Sequence, residues 1–451
     1  MKWLGLIILL AAAVPLWMRL RGDPGFVAKV TMLIGFLPFG TDPLHLYMAV
    51  VSWPEWPGYV KGVELTVLDV LAAALYLGLP RGRDAVPFRL SMAFYFVAVL
   101  LSAFQADVPT AALFYAWQLA RMFLVFAAVS RACTDRAAAN ALFVGMAAGL
   151  CMEAGVAVWQ RFALGILQAT GTAGHQNTLG LMSHLIVLPS FALLLSGRRG
   201  WLPVIVLLAG LAVEVLTTSR ASIGLAVAGY AVTFVLSCVR QWTSRKALLL
   251  LTASAALAVA TPVVLSSFDQ RFAVEQQSDY DERAAFVAAA SLMVSDHPLG
   301  VGANGYVLAA NVEGYNARAG VIPTETSLSA HVHNVYWLVT AETGYLGLIT
   351  FLFVLLRPVI VAFGCGLRVR DDDGADLLLG IGVALLTVYA HCLFEWTFLT
   401  FQPQYMFAVE LGLMVGTARR LGYWRRPGAL RLQVGGMRGR PAASISGSAW
   451  P

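Results

Sequence analysis

Apolar residues fill most of this chain in blocks close to twenty residues long, separated by short clusters of Arg, Asp, Gly and Pro. A helix needs about 20 such residues to cross the hydrocarbon core of a bilayer. Blocks of this kind lie near 3–19, 26–40, 64–80, 88–104, 111–130, 138–158 and 178–196. A second set lies near 202–217, 221–239, 247–266, 334–356, 376–399 and 403–418. The pattern predicts an all-α polytopic membrane protein of about 12–13 transmembrane helices. The first block, MKWLGLIILLAAAVPLW, has the length of a signal-peptide core. Arg19, Arg21 and a second span follow it at once, so an uncleaved helix is expected.

Composition agrees with the pattern and charge adds an orientation. Of 451 residues, 59% are hydrophobic and 12% charged, with a mean hydropathy of +0.73. A soluble domain carries about twice that charge. Arg81/Arg83, Arg131/Arg136, Arg198/Arg199, Arg240/Arg245/Lys246, Arg368/Arg370 and Arg419–Arg426 fall on alternate connections. Positive residues mark cytoplasmic loops. Connections 41–62, 159–177 and 267–333 then face outward. The net charge of +6 reflects this bias and gives no reason to expect nucleic-acid binding. Cys133, Cys151, Cys238, Cys365 and Cys392 sit in or beside apolar blocks without metal-ligand spacing, and read as small packing residues.

Four regions follow: an N-terminal transmembrane bundle over 1–266, an outward loop subdomain over 267–333, C-terminal transmembrane helices over 334–418, and a basic tail over 419–451 that reads as disordered. The loop is about 65 residues long by the span pattern, and rich in Asp and Glu. Within it, ERAAFVAAASLMVSDHP from Glu282 to Pro298 reads as a helix whose Phe286, Ala290, Met293 and Val294 make one apolar face. Such a helix is expected to pack on the bundle at the membrane surface.

Several motifs carry candidate chemistry. Gly300–Gly305 spells G-x-G-x-x-G, but outside any βαβ context it reads as a glycine-shaped turn near a ligand or another backbone. Ionisable residues inside spans are costly and therefore candidates: Asp69, Arg121, Glu153, His184, Glu214, His391, Glu395 and Glu410. His391 and Glu395, four apart, are placed to pair on one helix face. Arg220, after Ser219 at an outward boundary, either snorkels or presents its planar fork to an anion. Arg283 stands beside Asp281 and Glu282, and Arg271 and Arg318 share the same acidic loop, so surface ion pairs account for all three equally well.

The segment AHVHNVYWLVTAETGYLGL, from Ala330 to Leu348, opens a late span with His331, His333 and Asn334. Histidine's ordinary pKa lies near neutrality, which suits a proton acceptor at an outer membrane surface. Glu342 is nine positions on, on the opposite face and roughly 13 Å down the axis, so it cannot partner His333 within one helix. Gly344 and Gly347 are spaced to let a neighbouring helix approach.

In order, GHQNTLG at 174–180, Thr218-Ser219-Arg220-Ala221, Arg271, Arg283, Asp296–Gly302 and His333-Asn334 followed by Gly344 and Gly347 resemble the O-antigen ligase and O-antigen polymerase (Wzy-type) superfamily. The resemblance implies an inverting glycosyltransferase of the bacterial inner membrane, multi-pass, working on the periplasmic face. It implies an undecaprenyl-diphosphate-linked glycan as donor and lipid A-core or another glycan hydroxyl as acceptor, with membrane lipids around it. His333 then matches the proposed general base, and Arg220 and Arg283 match the arginines proposed to hold the diphosphate. His331, Asn334, Arg271 and Ser219 would support them, with His331 an alternative base and Asn334 orienting the ring or capping the helix. No cofactor or metal is assigned. A ligase reading leads, ahead of a polymerase in which Arg121, Arg161 and Arg318 could serve a second diphosphate site. A protein O-glycosyltransferase ranks below both, for want of an extra C-terminal domain. A transporter or flippase ranks last, because no internal repeat is evident.

Overall fold

In the computed structural model, residues 2–80, 85–197, 200–251, 278–370 and 372–424 are described. The chain runs α1 (Lys2–Leu20), α2 (Pro24–Gly40), a hairpin of β1 (Tyr47–Ser52) and β2 (Gly62–Thr66), α3 (Val67–Gly78), α4 (Arg89–Ser102), α5 (Pro109–Ala132) and α6 (Arg136–Phe162). Then come α7 (Gln176–Leu195), α8 (Leu202–Thr217) and α9 (Arg220–Arg240). The loop expected to face outward carries α10 (Ser278–Asp296), α11 (Tyr306–Val312), α12 (Tyr315–Arg318) and α13 (Glu325–Ser329). The chain returns through α14 (Val335–Gly366), α15 (Asp373–His391) and α16 (Phe401–Arg420).

Every predicted apolar block but the tenth meets a helix along most of its length. The tenth begins as helix over 244–251, and the rest of it, with Arg271 and the tail beyond Trp424, lies outside the described residues. Among the described residues six helices are long and apolar enough to cross a membrane: α5, α6, α7, α9, α14 and α15. The remaining apolar helices are shorter. The architecture is that of an all-α polytopic membrane protein.

Two boundaries differ from expectation. Residues Gly62–Thr66, partly assigned to the third span, are a strand paired antiparallel to Tyr47–Ser52. Helix starts only after Thr66, whose hydroxyl and Asp69 form a reciprocal cap. The twelfth span was expected to reach 399, yet α15 stops at His391, where amides of Leu393 and Phe394 fold back onto Ala390 and His391. A short 3₁₀ turn, Thr397–Leu399, then leads to α16.

Burial sorts the helices. α7 and α16 are enclosed almost along their whole length, while α9 turns apolar residues such as Val227, Val235 and Val239 outward. Because the bundle shields it, α16 tolerates Gln402, Gln404 and Glu410. α2 and α6 meet at Gly35 and Gly145, where a β-carbon would strike a backbone carbonyl of the other helix.

The outward loop is held by its backbone. α10 buries Phe286, Ala289, Ala290, Met293 and Val294 against α14, the face its spacing predicted. Burying each of the larger side chains contributes ~1.5–3 kcal/mol. α14 is broken at Gly344, which takes φ 66° and ψ −173°. The break frees the carbonyls of Ala341 and Glu342, and the amides of Val301 and Gly302 take them at 2.9 Å each. Asn304 clamps the 53–60 loop through Val60 N and O at 3.0 and 2.7 Å, and its carbonyl accepts Trp56 Nε1 at 3.1 Å. The G-x-G-x-x-G run is therefore a backbone-to-backbone junction. The glycine pair in α14 works otherwise than expected: Gly344 abuts the Pro298–Leu299 backbone, and Gly347 faces Thr343 of its own helix.

Candidate functional site

Asn334 enters α14 in extended conformation, with His333 in the tight turn just before it. Asn334 is its N-cap, accepting from Tyr336 N at 3.0 Å and Trp337 N at 3.1 Å. Its amide donates to Leu393 O at 3.1 Å, and Val335 N donates to Cys392 O at 2.9 Å. Arg283 Nη1 reaches Phe394 O at 3.5 Å. Three donors thus pin the turn after α15, and that turn carries Glu395.

Glu395 is the side chain against which His333 is set. His333 Nδ1 lies 2.8 Å from Glu395 Oε1, a contact spanning 62 residues of chain. The other carboxylate oxygen accepts Asn177 Nδ2 at 3.3 Å and lies 3.8 Å from His175 Nδ1. His175 is the N-cap of α7, its Nδ1 accepting from Asn177 N at 3.3 Å. Burial pushes Glu395 up, but the hydrogen bond from His333 and the charges of His333 and His175 outweigh it, leaving the carboxyl below its usual range. Burial lowers His175, and His333 and Arg283 add to that against the opposing pull of Glu395.

This geometry fixes a tautomer. A carboxylate can only accept, so Nδ1 of a neutral His333 carries the hydrogen and Nε2 keeps a lone pair. The side chain of His333 is 26% exposed and that of Glu395 1%, so the imidazole reaches accessible space while the carboxylate that orients it is sealed. An imidazole so held is equipped to take a proton from a hydroxyl and to be stabilised once charged.

The other predicted residues fall into place unequally. His331 is buried and stacks on Trp396, with ring centroids 4.1 Å apart and planes at 23°. Neither of its ring nitrogens has a hydrogen-bond partner among the described residues. Burial, reinforced by the charge of His333, pushes its pKa down to about 3. Buried and stacked, it is set as a packing histidine. Arg283 lies at the exposed surface of α10 and joins the cluster through the Phe394 carbonyl. Arg220 opens α9 at the same end of the bundle, exposed, with Ser219 behind it as N-cap. That level is set by Gly180 near the start of α7, which abuts Ser222.

Several expected pairings change. Because α15 ends at His391, Glu395 does not continue its face, and the carboxylate turns to His333 rather than to His391. Arg121 is buried and bonded to Asp69 at 2.9 Å and to the Tyr405 hydroxyl, a structural ion pair. Arg318 pairs with Asp296 at 2.8 Å on the loop surface. Glu153 accepts from the Thr172 amide and hydroxyl. Glu342 accepts from Tyr59 Oη at 2.7 Å and Tyr306 N at 3.2 Å, well away from His333's role. Reading the sequence missed Glu395 as partner. Its signal was an acid in an apolar block, pointed at the wrong histidine.

Residues 204–352 match the family model described as O-antigen ligase. Over those residues the chain is similar to the O-antigen ligase family, in line with the superfamily resemblance. The match covers about a third of the chain. It takes in Ser219, Arg220, Arg283, His331, His333 and Asn334, and leaves out Glu395, His175 and Asn177. No match is found among curated proteins. The similarity supports a ligase- or polymerase-type function, and the apolar helices a multi-pass membrane protein.

Proposed function

We propose that this protein is an O-antigen ligase-like, inverting glycosyltransferase that moves a glycan from undecaprenyl diphosphate to an acceptor hydroxyl, on lipid A-core or another glycan. The observation that carries the reading is the 2.8 Å contact of His333 Nδ1 with the buried Glu395, which leaves Nε2 of a partly exposed imidazole as the base. His333 removes the acceptor proton as its oxygen attacks the anomeric carbon. The lipid diphosphate departs from the opposite face, and Arg220 and Arg283 neutralise its growing charge. Two guanidinium groups suffice for that, so no metal is assigned.

The arrangement of charge supports a periplasmic site in the inner membrane. Arg136–Asp373 lies at the start of α15 and Glu395 just beyond its end, about 28 Å away for 19 helical residues. Arg240, Arg419 and Arg420 gather at the Arg136 end, the one expected inside. In this reading 1–266 and 334–418 form the membrane bundle, 267–333 shapes the acceptor side, and 419–451 is a cytoplasmic tail.

A polymerase, which joins two lipid-linked repeat units, remains the second reading. It calls for a second diphosphate site, and the internal pairing of Arg121 and Arg318 weakens two of its candidate cations. The test supplies purified protein with a lipid-diphosphate repeat unit, with and without lipid A-core, and follows the product ladder. Transfer only with acceptor is expected. A growing ladder without acceptor would establish the polymerase instead. His333→Ala is expected to fold and to lose transfer, and a fully active variant would remove His333 as base.

A further inference from the structure

Two cavities apart from the His333–Glu395 site share the same four helices, α4, α5, α14 and α16. The first is a chamber of about 970 Å³ at the end of the bundle away from His333, where α5 and α16 close. Among the described residues its lining holds Arg131, Arg357, Arg419 and Arg420 and no aspartate or glutamate. The second is a slot of about 320 Å³ further into the bundle, walled by apolar side chains such as Met122, Phe351 and Leu411. Its buried polar groups are occupied with one another. The Tyr95 and Tyr115 hydroxyls lie 3.2 Å apart, and Gln404 Nε2 donates to Tyr115 Oη at 3.1 Å. Ala93 and Phe123 in its lining are exposed, so the slot opens on the outer surface of the bundle, where lipid lies.

Chamber and slot adjoin on three of the four helices. At the start of α4, Phe88 lines the chamber and Arg89 the slot. On α5, Phe123 gives way to Ala127, and on α14, Val354 gives way to Arg357. Arginines that only mark orientation sit on loops, where water takes them. Arg357 does not: it lies inside α14, about 14 Å before the end of the helix at Gly366. Its guanidinium is 5.9 Å from the Phe88 ring centroid and has no hydrogen bond or ion pair among the described residues. Arg131 gives one donor to Tyr76 O at 2.8 Å, and Arg420 pairs with Asp372 at 3.4 Å. A guanidinium carries several N–H groups in a planar fork that suits phosphate, so Arg131 and Arg357 keep donors for an anion.

We propose that this crevice holds an anionic phospholipid, with its phosphate on Arg131 and Arg357 in the chamber and one acyl chain in the slot. Basic pockets between membrane helices on the cytoplasmic side bind headgroups of this kind, and the chamber lies at the end expected inside. A hydrocarbon chain gains little in passing from lipid to an apolar slot, because the two are equally apolar. The slot therefore places the lipid, and the arginines select it by charge. A free phosphate would use the chamber and leave the slot empty. The site is far from the transfer chemistry and stands whichever reaction the other end performs.

The test uses the full chain, stripped of lipid in mild detergent and titrated with phosphatidylglycerol, phosphatidylcholine or inorganic phosphate. Native mass spectrometry counts bound lipid, and thermal unfolding follows protection. One phosphatidylglycerol is expected to be retained, about tenfold or more above phosphatidylcholine, while inorganic phosphate protects far less. Arg357→Ala and Arg131→Ala are each expected to weaken its binding about fivefold. Arg357→Gln serves should Arg357→Ala fold poorly. Ala93→Trp fills the slot and spares the arginines, and is expected to bring a long-chain phosphatidylglycerol down to the level of a short-chain analogue. Ala120→Trp makes the same block from α5. Equal binding of the two lipids, equal protection by phosphate, unchanged binding in the folded arginine variants, or a full long-chain preference in a folded slot variant would overturn the proposal.

Discussion

The two ends of the bundle handle charge in opposite ways. At one end arginines meet aspartates in partly exposed pairs: Arg136–Asp373 at 3.1 Å, Arg240–Asp376 at 2.8 Å and Arg420–Asp372 at 3.4 Å. At the other, one sealed carboxylate is shared by His333, His175 and Asn177. The first arrangement is strong in number and weak in energy, since water and salt screen each pair. The second concentrates interactions on a single acid that apolar surroundings cannot screen. In the function proposed above, orientation in the membrane is served by the first, and chemistry by the second.

The contrast breaks most visibly at Glu395. Glu395→Gln keeps the shape but no longer fixes the His333 tautomer or stabilises the imidazolium, and kcat for transfer is expected to fall ~100-fold. Asp373→Asn at the opposite end should leave transfer within about twofold. Equal losses in both would abolish the distinction between the ends.

Gly344→Ala comes next. It forces a side chain into φ 66° and against the Pro298 carbonyl, and is expected to lower stability by roughly 1–3 kcal/mol. Thermal unfolding in detergent measures it, and an unchanged midpoint would show that the junction with the 298–302 backbone yields easily.

His331 offers a pH test. Its folded pKa of about 3 lies below the unfolded value of about 6.5. Neutral His331 therefore stabilises the fold fully above about 6.5, and the contribution fades by up to ~1.4 kcal/mol per pH unit as pH falls toward about 3. His331→Phe should flatten that part of the stability profile, and an identical slope would place the acid sensitivity elsewhere. The smallest effect belongs to Arg136→Ala, at under ~1 kcal/mol, fading further in high salt.

Much of this was legible in the sequence. Hydropathy placed the spans because the bilayer imposes one length on every crossing helix. His333 and Asn334 were legible because two polar residues opening an apolar helix need a reason, and capping supplies half of it. Glu395 was not, because its role depends on where α15 stops. That stop comes from contacts with Asn334 and Val335, 58 and 57 positions earlier than Cys392. Periodicity carries the helical face forward and has no means of sensing a distant clamp. Gly344 misled for a related reason: its spacing to Gly347 suggested helix packing, whereas its conformation serves a loop.

The break at Gly344 has a mechanical consequence. It divides the last long helix into a short upper post, Val335 to Thr343, bolted to the outward loop and to the turn of Glu395, and a longer shaft that meets lipid. The setting of His333 against Glu395 is thus fixed by the post's own contacts, on the loop side of the joint.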